Sequence, residues 1–230
     1  MISIADNLEK AGHRIREATL AAGRDPQSVS LLAVSKKQPA ERLREAAEQG
    51  QTAFGENYLQ EALEKMAALA DIEGLSWHFI GPIQSNKTRD IARHFDWVHS
   101  VDRLKTARRL SEQRDAEQPP LNLCLQVNMD EEPTKSGVHP NEAVALGTEL
   151  AELPNIRLRG LMAIPDPANS PEAQRQRFRA LAALLDELRR SVDNGDLDTL
   201  SMGMSDDLEL AIAEGATIVR IGTAIFGPRD

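Results

Sequence analysis

The sequence predicts an α/β fold, a single (β/α)8 or TIM barrel with an extra helix at its N-terminus. Three observations carry this reading. Eight short apolar runs recur along the chain, a longer amphipathic or polar stretch separates each from the next, and 230 residues approach the roughly 250 that one such barrel uses. Strand followed by helix, repeated, implies parallel strands joined by crossovers, and eight strands close into a ring. A doubly wound open sheet would show the same alternation. The first strand is not followed by a Gly-rich dinucleotide fingerprint, which argues against that competitor.

The elements follow in chain order. Within residues 1–22, Ile4, Leu8, Ala11, Ile15 and Ala18 fall at spacings of three and four, which predicts an amphipathic helix packed on the barrel. The strand runs are SLLAVS (Ser30–Ser35), AFG (Ala53–Gly55), WHFIG (Trp77–Gly81) and WVHSV (Trp97–Val101). They continue with LNLCLQVN (Leu121–Asn128), IRLRGLMAI (Ile156–Ile164), TLSMG (Thr199–Gly203) and ATIVRIG (Ala216–Gly222). Ahead of the seventh run, Phe178, Leu181, Leu185, Leu188 and Val192 repeat the helical spacing behind Ser170-Pro171-Glu172. There Ser caps, Pro suits the first turn and Glu complements the helix dipole. No Gly/Ser linker or charge block divides the chain, so 1–230 is expected as one domain.

Composition narrows the function. With 27 Lys and Arg against 36 Asp and Glu, the net charge is −9, which disfavours nucleic acid as a partner. The longest apolar run, Ala180–Leu185, is far below the roughly 18 residues of a membrane span. The N-terminal MISIADNLEKAGHRIR lacks the apolar core of a signal peptide, so a cytoplasmic location is expected. Cys124, between Leu123 and Leu125, reads as a buried thiol, and His13, His78, His94, His99 and His139 show no metal-binding spacing. Gly81–Thr88 ends like a P-loop but lacks the glycine before its lysine, and Pro82 removes a backbone donor. Trp77, His78 and Phe79 suit a packed strand better than a stacking surface.

In a parallel barrel the strand C-termini form the active face. The loops after strands seven and eight often bind phosphate, and here they hold Ser201, Gly203 and Ser205, then Gly222 and Thr223. Glycine permits close backbone approach and hydroxyls donate to phosphate oxygens; Ser205-Asp206-Asp207 is equally an ordinary helix cap. The first strand ends in Ser35-Lys36-Lys37. A lysine in a partly desolvated mouth has a lowered pKa and attacks carbonyls as the neutral amine. Successive residues face opposite sides, so only one of Lys36 and Lys37 enters the mouth, and spacing does not say which. Arg220, inside the apolar eighth run, needs either a barrel carboxylate or a ligand. A Schiff-base lysine, a phosphate cup and a cation beside a ring nitrogen together describe a site for pyridoxal 5′-phosphate (PLP).

AVSKKQP, FGENYLQE, WHFIGPIQSNKTR, VHSVDR, KSGV, RGLMAIP, LSMGMSDDLELAI and VRIGTAIFG occur in this order between Ala33 and Gly227. Together they resemble the pyridoxal phosphate homeostasis protein family, a one-domain relative of the alanine racemase barrel of fold type III. The resemblance implies that Lys36 carries PLP as an internal aldimine, which chooses it over Lys37. It implies phosphate ligands at Ser201, Gly203, Met204, Ser205, Gly222 and Thr223, and Arg220 facing the pyridine nitrogen. Asn57, His78 and Met162 match pocket-lining positions, whereas Lys37 and Lys135 are family-like loop lysines without a derivable role. SKKQP departs from the SKTKP or SKTxP often seen, which alters local charge but leaves Lys36 in place.

The implied activity is that of a carrier or buffer in intracellular PLP, vitamin B6 and amino-acid homeostasis, with no strong catalysis of its own. An arginine opposite the ring nitrogen keeps that nitrogen unprotonated and the ring a poor electron sink. Racemases of this fold type borrow a catalytic tyrosine from an additional domain of the dimer partner, and this chain stops at Asp230, soon after its eighth strand. Expected partners are PLP, apo-PLP enzymes and free amino acids, with the chain a monomer. The alternatives are a PLP-dependent amino-acid racemase and a Schiff-base aldolase acting on a phosphorylated sugar.

Overall fold

A computed structural model describes residues 3–132, 134–193 and 196–227; the outermost positions of the expected helix and domain, Met1, Ile2 and 228–230, lie outside the described residues. The apolar runs form parallel strands β1 (Ser30–Val34), β2 (Ala53–Glu56), β3 (Ser76–Phe79), β4 (Trp97–Val101), β5 (Leu121–Gln126), β6 (Ile156–Met162), β7 (Thr199–Ser201) and β8 (Ile218–Ile221). They pair in chain order and β8 returns to β1, so the sheet is a closed barrel. The closing register sets Leu32 against Arg220 and Ala33 against Ile221. Most strand runs in the sequence extend past the ladder at their C-terminal ends. Ser35, Ile80, Asn128, Ile164, Gly203 and Gly222 lie beyond the strand ends, and Ser35, Ile80 and Gly203 each keep one backbone hydrogen bond to a neighbouring strand as the chain turns into the mouth.

Helices α1 (Ile4–Ala21), α2 (Ala40–Glu48), α3 (Leu59–Ala68), α4 (Thr88–His94), α5 (Leu104–Gln113), α6 (Pro140–Ala151), α7 (Pro171–Ser191), α8 (Leu208–Ala213) and α9 (Thr223–Phe226) alternate with the strands after α1. The extra helix α1 starts where the Ser3 side chain accepts the Asp6 N–H, and it packs on α2, α8 and α9. Ile4, Ala11 and Ile15 are buried as its spacing requires. Thr19 is buried in place of Ala18 because its hydroxyl donates to the Ile15 carbonyl, which removes the cost of enclosing it. In α7, Ser170 accepts the Ala173 N–H and Phe178, Leu181, Leu185 and Leu188 face inward. Trp77 packs on Phe54, and Phe79 meets Phe95 edge-on, so these aromatics belong to the layer between strands and helices. Cys124 is fully enclosed and its thiol is pushed up to about 12 by burial, which makes it unreactive. Among the described residues no helix is long and apolar enough to cross a membrane and no group of three His, Cys, Asp or Glu could hold a metal ion.

The barrel interior holds a polar column. Arg220 Nη1 donates to Ser201 Oγ at 2.8 Å, and Ser201 Oγ lies 2.8 Å from His99 Nδ1. His99 Nε2 is 2.9 Å from His78 Nδ1, and His78 Nε2 is 3.1 Å from Ser76 Oγ. Arginine only donates. If the Ser201 hydroxyl then donates to His99, His99 to His78 and His78 to Ser76, the one hydroxyl hydrogen left over is that of Ser76, at the partly exposed end of the row. The reverse order leaves the Ser201 hydroxyl hydrogen without an acceptor among these groups. Both imidazoles are neutral: burial holds His78 down to about 3, and burial, with His78 and the Arg220 cation adding to it, holds His99 well below its usual value.

An unfolded histidine titrates near 6.5, so below that pH the unfolded chain binds protons that the folded chain refuses. Stability therefore falls as pH drops from about 6.5 toward 3, by roughly 1 kcal/mol per pH unit for each histidine. In urea unfolding between pH 7 and 5, His99→Gln should flatten the slope by about one proton equivalent relative to the parent chain. Equal slopes would mean that His99 is protonated in the fold.

Candidate functional site

Alternation along β1 carries Val34 and then Lys36 toward the strand C-termini on one face, while Ser35 turns to the other and Lys37 is exposed. Lys36 lines a cavity of about 570 Å3 at the barrel mouth, a size usual for a small-molecule site. Of the other candidates, Asn57, Met162, Met204, Ser205, Arg220, Gly222 and Thr223 share this wall. Val34, Ile80, Ile164, Asp206 and Ala224 complete it. None of these five is among the binding residues expected from sequence, although Ile80 and Ile164 sit at strand ends on the active face.

Three candidates lie elsewhere. His78 is one side-chain layer below the wall, because Ile80, two residues on, takes the mouth position. Ser201 is fully buried beneath the cavity, where its hydroxyl and carbonyl both accept from Arg220. Gly203 is a turn residue with φ of 94°, and a Cβ there would stand 2.6 Å from Ala211 Cβ. Its glycine lets α8 approach the barrel, and its carbonyl accepts the Arg220 backbone N–H. Lys135 is away from the cavity, ion-paired at 3.0–3.2 Å with Asp130, Glu132 and Asp166.

The electrostatics centre on Arg220. Burial lowers its guanidinium to about 10, so it stays cationic at neutral pH. Nη1 donates to the Ser201 carbonyl at 2.6 Å and Nη2 to the Ala163 carbonyl at 2.9 Å. Among the described residues no carboxylate forms a salt bridge with it: neutral acceptors hold it in place, and the buried Asp207 acts on it only through space. The same wall carries Ser205, with its hydroxyl, and the segment from Gly222 through Thr223 to Ala224, a set suited to an anion. Asn57 presents a buried side-chain oxygen, Oδ1, that has no hydrogen-bond partner. A lysine, a fixed cation, hydroxyl donors and one unsatisfied acceptor converge on one partly apolar cavity.

Comparison with known proteins matches residues 7–230 to the family described as alanine racemase, N-terminal domain. A pyridoxal phosphate homeostasis protein of Pseudomonas aeruginosa is 63% identical over 230 residues, covering 100% of this chain and 97% of that protein. One from Escherichia coli is 50% identical over 232 residues, covering 100% and 98%. The solved structure of PipY from Synechococcus elongatus with PLP bound is similar at a TM-score of 0.84 and 40% identity, covering 97% of this chain and 100% of that one.

Gly81 holds one side of this wall in place. A Cβ there would come within 2.7–2.8 Å of the Asn57 Cα and carbonyl carbon, backbone atoms that move only with the end of β2. Gly81→Ala should therefore cost roughly 1–3 kcal/mol in urea unfolding and displace Asn57. Gly12→Ala, in α1 with open space around it, should instead stabilise by about 0.5–1 kcal/mol. Matching signs for the two would refute the steric account.

Proposed function

The chain belongs to the pyridoxal phosphate homeostasis protein family, and from that membership we propose that it holds PLP in the barrel mouth and serves intracellular PLP and amino-acid homeostasis as a carrier or buffer. The observation that carries this reading is the meeting of Lys36, Arg220 and the two hydroxyl-bearing loops on one cavity of about 570 Å3. The donor set fits the cofactor: an amine for its aldehyde, hydroxyls and backbone for its phosphate, a cation for its ring nitrogen, and an unsatisfied Asn57 oxygen. When bound, PLP supplies an aldehyde that condenses reversibly with amines.

Each residue then has a task. Lys36 is the covalent attachment point. Ser205 and Thr223, with the backbone of Met204 and Gly222, would hold the phosphate, and Met162 would line the ring's side of the cavity. Arg220 would serve the ring nitrogen and, being cationic already, would disfavour a second positive charge there. Ser201 serves from below by holding Arg220, His78 supports Ser201 through His99, and Gly203 shapes the loop after β7.

The wall also favours a carrier over a racemase. Among the described residues its ionisable side chains are Lys36, Arg220 and the exposed Asp206. Inversion at carbon needs acid and base groups on opposite faces of the substrate, and Asp206 at the rim is poorly placed for that work. Ile164, on the cavity wall, is half-exposed, so the mouth is open to apo-enzymes or free amino acids.

Purified protein should be yellow, lose that absorbance on borohydride reduction, and retain the reduced adduct on the peptide bearing Lys36. Lys36→Ala should abolish the absorbance while leaving the far-UV circular dichroism intact. Arg220→Ala should shift the cofactor absorbance and its pH dependence. Sustained α-deuterium exchange into single-enantiomer amino acids, well above that of free PLP, would replace the carrier with a racemase. A colourless protein unable to take up PLP would defeat both and leave the aldolase.

A further inference from the structure

Just outside the cavity, on the opposite face of β1 and β2, lies an ionic cluster that the site chemistry does not use. Lys65 of α3 is buried, with Nζ 2.7 Å from the Ser35 carbonyl oxygen, 2.7 Å from Glu56 Oε1 and 2.5 Å from Glu61 Oε1. Glu56 is fully enclosed and also accepts the Ser35 hydroxyl at 2.6 Å. Glu61 Oε1 accepts the Lys37 backbone N–H at 2.5 Å.

These contacts grip the turn that presents Lys36. The Gln38 N–H donates to the Ser35 carbonyl and closes a four-residue turn with Lys36 and Lys37 at its centre. Lys37 has φ of 59°, a left-handed conformation disfavoured for residues with a Cβ. The peptide before Lys36 is held at its carbonyl by Lys65. The peptide after it is held at its N–H by Glu61, itself bound to Lys65. With both flanking peptide planes fixed, the direction of the Lys36 Cα–Cβ bond is fixed too.

We propose that Lys65, acting with Glu56 and Glu61, is the positioning residue for Lys36: one buried ammonium sets the turn geometry that aims Lys36 into the cavity. The proposal rests on Lys36 being the attachment point for PLP. A buried cation with two carboxylates is a poor source of net stability compared with apolar packing, and Glu56 Oε2 is left buried without a partner. What the cluster supplies is geometry at the one residue it surrounds.

The test compares Lys65→Met and Glu61→Gln with the parent chain, each confirmed folded by circular dichroism. In cofactor-free protein, reductive methylation with formaldehyde and cyanoborohydride is followed peptide by peptide, with exposed Lys10 as the internal reference. The Lys36-to-Lys10 rate ratio should change by about fivefold or more in Lys65→Met and by less in Glu61→Gln. Dissociation of added PLP should quicken by about tenfold in Lys65→Met, with a displaced absorbance maximum. Ratios within about twofold of the parent in every folded variant, whatever happens to melting temperature, would overturn the proposal. Should Lys65→Met fail to fold, Glu61→Gln decides alone, its side chain being partly exposed. If the parent takes up no PLP, the proposed function fails, and the methylation ratio still decides whether Lys65 positions Lys36.

Discussion

The parallel pairing of β8 with β1 is the contact on which the site depends. Leu32 opposite Arg220 and Ala33 opposite Ile221 bring the two ends of the chain side by side. Lys36 thereby reaches the same mouth as Arg220, Gly222 and Thr223. The joint is made of backbone hydrogen bonds, so it leaves the side chains at the strand ends free to differ and leaves no open sheet edge. Opened at this seam, the same strands and helices would keep their local structure and lose the cavity.

The two buried cations near that seam are handled in opposite ways. Lys65, on the outer face, is met by two carboxylates, and its charge is spent within the wall. Arg220, on the inner face, is held by carbonyls and a serine hydroxyl, groups that fix its position without cancelling its charge. The first arrangement yields a rigid turn and the second a standing positive field in a partly enclosed cavity, which draws anions inward. Both serve the mouth, and neither is a stability device first.

Much of this was legible in the sequence, and the limits have physical causes. Apolar runs marked every strand because both faces of a parallel barrel are covered, and the 3.6-residue stripe marked α1 and α7. Lys36 and Arg220 were visible as charges attached to apolar strands. Depth was not visible: alternation says that His78 and Ile80 share a face, and only the ladder's end shows which of them reaches the mouth. The Lys65 cluster joins a turn, a strand and a helix, and in sequence Glu56, Glu61 and Lys65 look like ordinary charges of a strand end and a helix. One signal was present, since Lys65 follows Leu59 and Ala62 at spacings of three on the buried stripe of α3, where an unpartnered lysine would not be tolerated.

The polar column from Arg220 to Ser76 has a consequence for assembly of the barrel. Its members come from β3, β4, β7 and β8, so it is a keyed lock across the ring. An interior filled with Leu and Val would tolerate strands sliding together by two residues, since side chains of similar shape would replace one another. Here such a slide in any of these strands would separate His78, His99, Ser201 or Arg220 from its partner and leave dry polar atoms unsatisfied. The stagger of the barrel is thus encoded in hydrogen bonds as well as in shape, and misregistered rings are excluded by chemistry during folding.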